Sequence, residues 1–396
     1  ALRPATPLIQ HDGGWKFIPR YEGWYALGPH LFDEHLERFK DVASLVLGEM
    51  DPKFDLPPEE RFAATVHGKA LTHSRTLRSS LAETLALLGS HPGALTSCSL
   101  GKPEIIATLV IRDALGEADW IRWASLNDLL PLLAEAAPRE FLDAVEKSLQ
   151  KVPCPFDEIF AQEGGALFGN NYLTGLLWAL ETLAWDSDYL GRSVICLGEL
   201  AAHDPGGQSG NRPVNSLKTI FLPWIPPTCA SIPKRTATMK TLLTELPNIG
   251  WKLLVSLLPD QHSVSFGTRK PAWRRTIPDD WREGVTHKEY WEQVDAYSEL
   301  VINEAKKDIS KLTELVDHLE NLPEPARKQF LDYISSDSVL LLPTEERLSL
   351  WNELVDLVTK HRKFVDAKWA MTPKQVDEID ALSARLAPDS PFYLHQ

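Results

Sequence analysis

Helical spacing of apolar residues, stopped and restarted by proline, runs through most of the chain and limits the folds open to it. Apolar residues recur every three or four positions, whereas alternating β-branched runs are almost absent after the first 30 residues. Pro57, Pro103 and Pro138 stand where helical patterns begin, and proline is tolerated in the first turn of a helix. The pattern therefore predicts an all-α fold.

The predicted helices are short, and short turns connect them in pairs, which is typical of stacked helical repeats. We therefore predict an irregular helical-repeat array, similar to an α-solenoid, that ends in a long helical hairpin. The hairpin is expected because two apolar stripes, within 294–319 and 350–369, recur at helical spacing. An irregular globular helical domain is the alternative, since no fixed repeat period emerges.

Changes in composition divide the chain into four predicted segments. Two helix starts in the last segment have the capping-box pattern, Thr286 with Glu289 and Thr372 with Gln375. The segments are an irregular or short β lead-in (1–30), an N-terminal helical block (31–160), a central helical block (161–285) that contains a basic aromatic loop (259–285), and a C-terminal long-helix block (286–396).

Composition excludes several classes of protein. The 396 residues are 43% hydrophobic, enough for two or three packed units. No apolar run reaches the roughly 18 residues of a membrane span, so no membrane association is expected. The four cysteines form no Cys-x-x-Cys pair, so we expect a reducing, cytoplasmic setting. Because the chain begins at Ala1 without methionine, we expect a processed protein or a piece of a longer one.

Charge is distributed unevenly along the chain. The 41 basic and 55 acidic residues give a net charge of -14, which argues against a general nucleic-acid binder. The window 212–282, however, holds eleven Lys or Arg against four Asp or Glu, a net charge of +7, so the remainder carries -21. This window could orient an anionic ligand or an acidic protein surface.

The basic aromatic loop is the most unusual segment of this window, because cations alternate there with aromatic residues, including Phe266. Arginine pairs with oxyanions and tryptophan stacks on planar groups, so such a segment suits phosphates, bases or an acidic protein. In the alternative interpretation, the tryptophans pack the loop onto the protein body and the arginines pair with acidic residues. The candidate binding residues are Arg269, Lys270, Trp273, Arg274, Arg275, Trp281 and Arg282.

A second candidate site lies between two predicted helices. Gly206 and Gly207 allow close backbone approach, and Arg212 precedes a helix start whose amide groups favour an anion. The segment therefore is a candidate anion site. The alternative is ordinary turn chemistry, which Asp-Pro-Gly-Gly at 204–207 also fits.

No catalytic or metal motif is present in the sequence. Gly68-Lys69 and Gly101-Lys102 lack the Ser or Thr that a P-loop requires, and Ser209 lacks the second glycine of a nucleophile elbow. His-Glu-x-x-His is absent, so no metal site and no cofactor are predicted. An enzyme whose site converges only in three dimensions stays a third class of hypothesis.

Several motifs resemble the helical region of large multidomain bacterial proteins, the STAND class of ATPases and related antiphage defence proteins. The motifs lie at 68–74, 77–78, 81–89, 177–181, 204–207, 211–217, 221–224, 270–274 and 390–393. Such proteins join an effector and an ATPase module to a C-terminal helical-repeat sensor. The resemblance implies that the repeat surface recognises a foreign component, with a phage protein as the leading candidate. Catalysis and oligomerisation would then be supplied by the rest of the full-length protein.

These observations give two main functional hypotheses. The first is a non-catalytic sensor module that binds a protein partner through a helical-repeat surface. The second is a module that senses nucleic acid or a nucleotide through the basic aromatic segment 212–282. Their salt dependence distinguishes them, because binding to phosphates weakens steeply with salt.

Overall fold

The computed structural model folds almost entirely into helices, which confirms the all-α prediction. It describes residues 8–11, 14–17, 20–162, 171–207, 209–259, 267–367 and 369–388. The chain divides into two compact units, and the four predicted segments stay a prediction. Unit 1 contains residues 1–220, 227–230 and 267–281, and unit 2 contains 221–226, 231–266 and 282–396.

Unit 1 begins with a two-stranded antiparallel hairpin, followed by helices. The lead-in predicted for residues 1–30 thus contains both strands and the first helix. The elements are β1 (Leu8–His11), β2 (Gly14–Phe17), α1 (Arg20–Leu27), α2 (Asp33–Leu47), α3 (Arg75–Ser90), α4 (Lys102–Leu115), α5 (Trp120–Ser125), α6 (Leu130–Ala136), α7 (Pro138–Leu149), α8 (Pro155–Ala161), α9 (Thr174–Ala184), α10 (Leu190–His203) and α11 (Pro213–Ile220).

Three helix pairs of unit 1 stack in two rows. Helices α3, α6 and α9 form one row, and α4, α7 and α10 form the other. Each helix of the first row also packs against the next helix along the chain, which belongs to the second row. The resulting pairs are α3–α4, α6–α7 and α9–α10. The pairs begin at residues 75, 130 and 174, so they share no fixed period. A solenoid in the strict sense stays a prediction.

Two glycines let the first row pack closely. A β-carbon at Gly89 in α3 would lie 1.7 Å from the carbonyl oxygen of Ala136 in α6. A β-carbon at Gly175 in α9 would lie 1.7 Å from the carbonyl oxygen of Asn127. Any larger residue would force these backbones apart, because neither contact is with a flexible side chain.

Unit 2 is also helical, and both capping boxes predicted at its helix starts are confirmed. Thr286 Oγ1 accepts from the Glu289 amide at 3.2 Å, and Thr372 is bonded to Gln375 in the same way. The elements are α12 (Ile232–Glu245), α13 (Pro247–Ser256), α14 (His287–Ala305), α15 (Ile309–Val316), α16 (Glu324–Ile334), α17 (Asp337–Leu340), α18 (Thr344–Lys363) and α19 (Pro373–Leu386).

The apolar stripe predicted over 294–319 is divided between two helices. The first helix, α14, ends at Ala305, and Asp308 starts the second, because its carboxylate accepts from the Ser310 amide at 2.9 Å and caps α15. Consequently α15, and not the long α14, packs against α18. The second stripe also extends beyond its helix, since α18 ends at Lys363.

Among the described residues, no helix combines the length and the apolar character needed to cross a lipid bilayer.

Candidate functional site

Within the predicted basic aromatic loop (259–285), residues 267–281 belong to unit 1. We call these fifteen residues the basic loop. Six of the seven candidate binding residues lie in it, and Arg282 is the first residue of the next stretch of unit 2. Phe266 falls in 260–266, outside the described residues. The basic loop contains no helix or strand, so other groups must satisfy its backbone.

Glu135, at the end of α6, is the acceptor for three backbone amides of the basic loop. Its side chain is buried, and its carboxylate accepts hydrogen bonds from three successive amides, those of Ala272 at 2.9 Å, Trp273 at 2.7 Å and Arg274 at 2.9 Å. Successive amides that converge on one anion form a nest. Here the anion is part of the protein, so the nest anchors the loop.

Two further side chains fix the middle of the basic loop. The Arg274 guanidinium donates to the carbonyl oxygens of Glu135 at 2.6 Å and Gly89 at 3.3 Å, and its burial lowers its pKa. His91 donates from its ring to the carbonyl oxygen of Trp273 at 2.8 Å. Arg274 is therefore part of the attachment and is not displayed.

Both ends of the basic loop pack on Trp185, which is buried at the end of α9. Its indole N–H donates to Thr268 Oγ1 at 3.2 Å and to the carbonyl oxygen of Arg269 at 3.1 Å. The Trp281 ring meets the Trp185 ring edge-on, with centroids 5.1 Å apart. Trp281 thus packs the loop onto the body.

The remaining cations of the basic loop are exposed above aromatic rings. Arg269 lies 5.6 Å from the Trp178 ring centroid, Lys270 lies 4.6 Å from that of Trp281, and Arg275 lies 4.6 Å from that of Tyr21. Cation–π contacts position these side chains while leaving their charged ends in water. Binding by these exposed cations stays a prediction.

In the second candidate site, Arg212 and Gly206 both bind the carboxylate of Asp204. Arg212 Nη1 lies 2.7 Å from Asp204 Oδ1, and both side chains are buried. The Gly206 amide donates to the same oxygen at 2.8 Å, with φ of 84° at Gly206. Gly207 is exposed beside them. The anion at this turn is thus Asp204 itself.

Unit 1 also contains a cleft of about 700 Å³ that the sequence does not reveal. Four cationic side chains line it against two carboxylates, so it is positive within an acidic chain. Trp178, which lies under Arg269, also lines the cleft, so the basic loop borders it. The charged lining residues are Lys53, Arg61, Arg75, Arg78, Asp51 and Asp128.

The cations of the cleft differ in their engagement. Arg78 is buried and donates to the carbonyl oxygens of Val46 at 2.8 Å and Ser125 at 3.2 Å. Arg61 is also buried and donates to Gln162. Arg75, by contrast, is exposed and makes no hydrogen bond or ion pair with any described residue. Arg75 is therefore the cleft cation best suited to meet a ligand.

Comparison with known proteins gives no match: no family model fits the sequence, and no curated protein or solved structure is significantly similar to it.

Proposed function

We propose that this chain is a non-catalytic recognition module of a larger bacterial defence protein, and that it binds a foreign, phage-derived protein. The observation that carries the proposal is the construction of the basic loop. Its backbone is fixed by Glu135, while Arg269, Lys270 and Arg275 present exposed charges. A surface ordered before binding loses little conformational entropy when a partner docks.

An acidic protein surface suits this loop best. Arginine and aromatic residues are enriched in protein interfaces, and complementary charge favours both encounter and choice of partner. The rest of the chain is strongly acidic, so an acidic partner is attracted to the loop and repelled elsewhere. The cytoplasm is the proposed setting because Cys98, Cys154, Cys196 and Cys229 all carry free thiols.

The test is capture of a partner from phage-infected and uninfected bacterial lysates, with nuclease treatment, read by mass spectrometry. The charge-reversed variant Arg269→Glu/Arg275→Glu should bind the captured phage protein about tenfold more weakly, or worse. A tenfold loss corresponds to about 1.4 kcal/mol of binding free energy. The control Lys240→Glu/Lys252→Glu changes the net charge equally, at exposed positions of α12 and α13.

Retention of one phage protein by the wild type and the control, but not by the loop variant, supports the proposal. Equal retention by all three proteins contradicts a role of the basic loop. Capture of nucleic acid alone favours the second candidate.

The second candidate function, recognition of a nucleotide or nucleic acid, is favoured by the positive cleft. Its volume is in the range of small-molecule sites, and Arg75 and Trp178 offer an oxyanion partner and a stacking surface at its lining. The affinity for a fluorescent double-stranded oligonucleotide should then fall steeply with salt. For each phosphate contact, we expect a loss of about 0.9 logarithmic units for every tenfold rise in salt concentration. Arg75→Glu should abolish it, whereas the unchanged affinity of that variant would exclude the cleft.

A further inference from the structure

Three side chains with metal-binding atoms converge in unit 1, away from the basic loop. Cys154 directly precedes α8, Asp157 lies in its first turn, and His203 is the last residue of α10. One sulfur, one carboxylate oxygen and one imidazole nitrogen from these residues all lie within 4.8 Å of one another. Ligand atoms around one tetrahedral ion bind at about 2.0 to 2.3 Å and therefore lie about 3.3 to 3.8 Å apart, a spacing that small side-chain rotations would give these three atoms.

Cys154 is buried directly before α8, so its sulfur meets the other two ligand atoms from the inner side of the cluster. A bound cation would replace the thiol proton and pair with the charge of the thiolate.

His203 and its neighbours complete the set. His203 Nδ1 lies 2.7 Å from Asp157 Oδ1, so both residues already point toward each other.

We propose that Cys154, Asp157 and His203 bind a zinc ion, with a water molecule as fourth ligand. Zinc suits this set because it accepts thiolate, imidazole and carboxylate ligands in tetrahedral geometry, whereas magnesium and calcium prefer oxygen alone. Because thiolate is the ligand, binding releases the Cys154 proton to solvent. The ion would join the start of α8 to the end of α10.

The same residues suit a cysteine nucleophile less well. The Cys154 side chain is 3% exposed, so a substrate carbonyl has no access to its sulfur. Burial also raises its pKa, whereas a reactive cysteine requires a lowered one. Asp157 is exposed and His203 is half-buried, so a small ion could bind between the buried sulfur and the surface.

The test is metal binding by the purified chain, with zinc and cobalt as the probes. After gel filtration, the wild type should retain one zinc ion per chain, and Co²⁺ should give a sulfur-to-cobalt charge-transfer band. Cys154→Ser should remove the band and weaken zinc binding by more than about 100-fold, since losses in the outer shell alone reach that size. His203→Ala should weaken zinc binding similarly.

Matched controls separate this site from general metal binding. Cys98→Ser removes a different thiol, and His73→Ala removes a histidine that pairs with the Glu49 carboxylate at 2.9 Å. Both controls should bind zinc as the wild type does. A wild type without stoichiometric zinc and without the cobalt band overturns the proposal, and so does a Cys154→Ser variant that binds both metals normally. The cobalt spectrum of the wild type decides the question even if a variant fails to fold.

Discussion

The basic loop and the turn at 204–212 both combine glycine, arginine and a carboxylate, yet they use the carboxylate in opposite ways. In the basic loop, Glu135 binds backbone amides, so the charges of Arg269 and Arg275 stay exposed. In the turn, Asp204 binds the guanidinium of Arg212, so that charge is consumed inside unit 1. In these two segments, arginine charge is exposed where backbone amides alone occupy the carboxylate, and it is buried where a guanidinium binds the carboxylate as well.

Removal of Glu135 should have the largest effect on stability. Glu135→Ala deletes the acceptor of three amide hydrogen bonds, each worth about 1.5 kcal/mol because the acceptor is charged. We expect the free energy of unfolding to fall by about 4 to 5 kcal/mol, measured by denaturation in urea. The loop should also become sensitive to limited proteolysis.

The control for this variant is Glu117→Ala, which removes an exposed carboxylate paired with Lys147 and should leave the free energy of unfolding nearly unchanged. If both glutamate variants lose the same small amount of stability, the nest does not anchor the basic loop.

Removal of Asp204 should have a smaller effect, because two donors lose their acceptor instead of three. Asp204→Ala leaves the Arg212 guanidinium and the Gly206 amide without this carboxylate, and we expect a loss of about 3 kcal/mol. Asp204→Ala/Arg212→Met should recover part of the loss, because the buried cation is then absent as well. A double variant that is less stable than Asp204→Ala would contradict this account of the turn.

Features that depend on neighbouring residues could be predicted from the sequence. The capping boxes at Thr286 and Thr372 each need two residues three positions apart, and the structure confirms both. The same holds for the all-α class, because helical periodicity is local. The break at Asp308 was missed because an apolar stripe can continue across two consecutive helices when a polar residue caps the second.

The candidate site could be predicted only in part. The cations of the basic loop are visible in the sequence, but their roles depend on Glu135, which is 137 positions away from Ala272. Arg274 and Arg275 are adjacent, yet one is attached to α6 and the other is exposed over Tyr21. The cleft and the Cys154 cluster likewise require helix packing, since Asp157 and His203 come from different helices.

Substitution of Gly206 should lower the free energy of unfolding less than removal of the Glu135 or Asp204 carboxylate does. Its φ of 84° lies in the left-handed region, where a β-carbon costs about 1 kcal/mol, and no other atom lies within 4 Å of that β-carbon. Gly206→Ala should therefore lower the free energy of unfolding by about 1 kcal/mol through backbone strain alone. Gly210→Ala is the control, because Gly210 has no positive φ and equally open space, and it should leave stability unchanged or slightly higher.

Each exposed cation of the basic loop should matter little for stability, and the cations together should matter most for binding. Arg269→Ala/Arg275→Ala removes two side chains whose charged ends are in water above Trp178 and Tyr21. Exposed cation–π contacts are worth about 0.5 to 1 kcal/mol each, so thermal unfolding should shift by only a few degrees. Arg274→Ala is the sharp contrast, since it removes donors to the carbonyl oxygens of Glu135 and Gly89 and should destabilise the chain more than both exposed changes together. If instead Arg274→Ala is neutral and the exposed pair is destabilising, the division between attached and displayed arginines is reversed, and the basic loop is not a preformed binding surface.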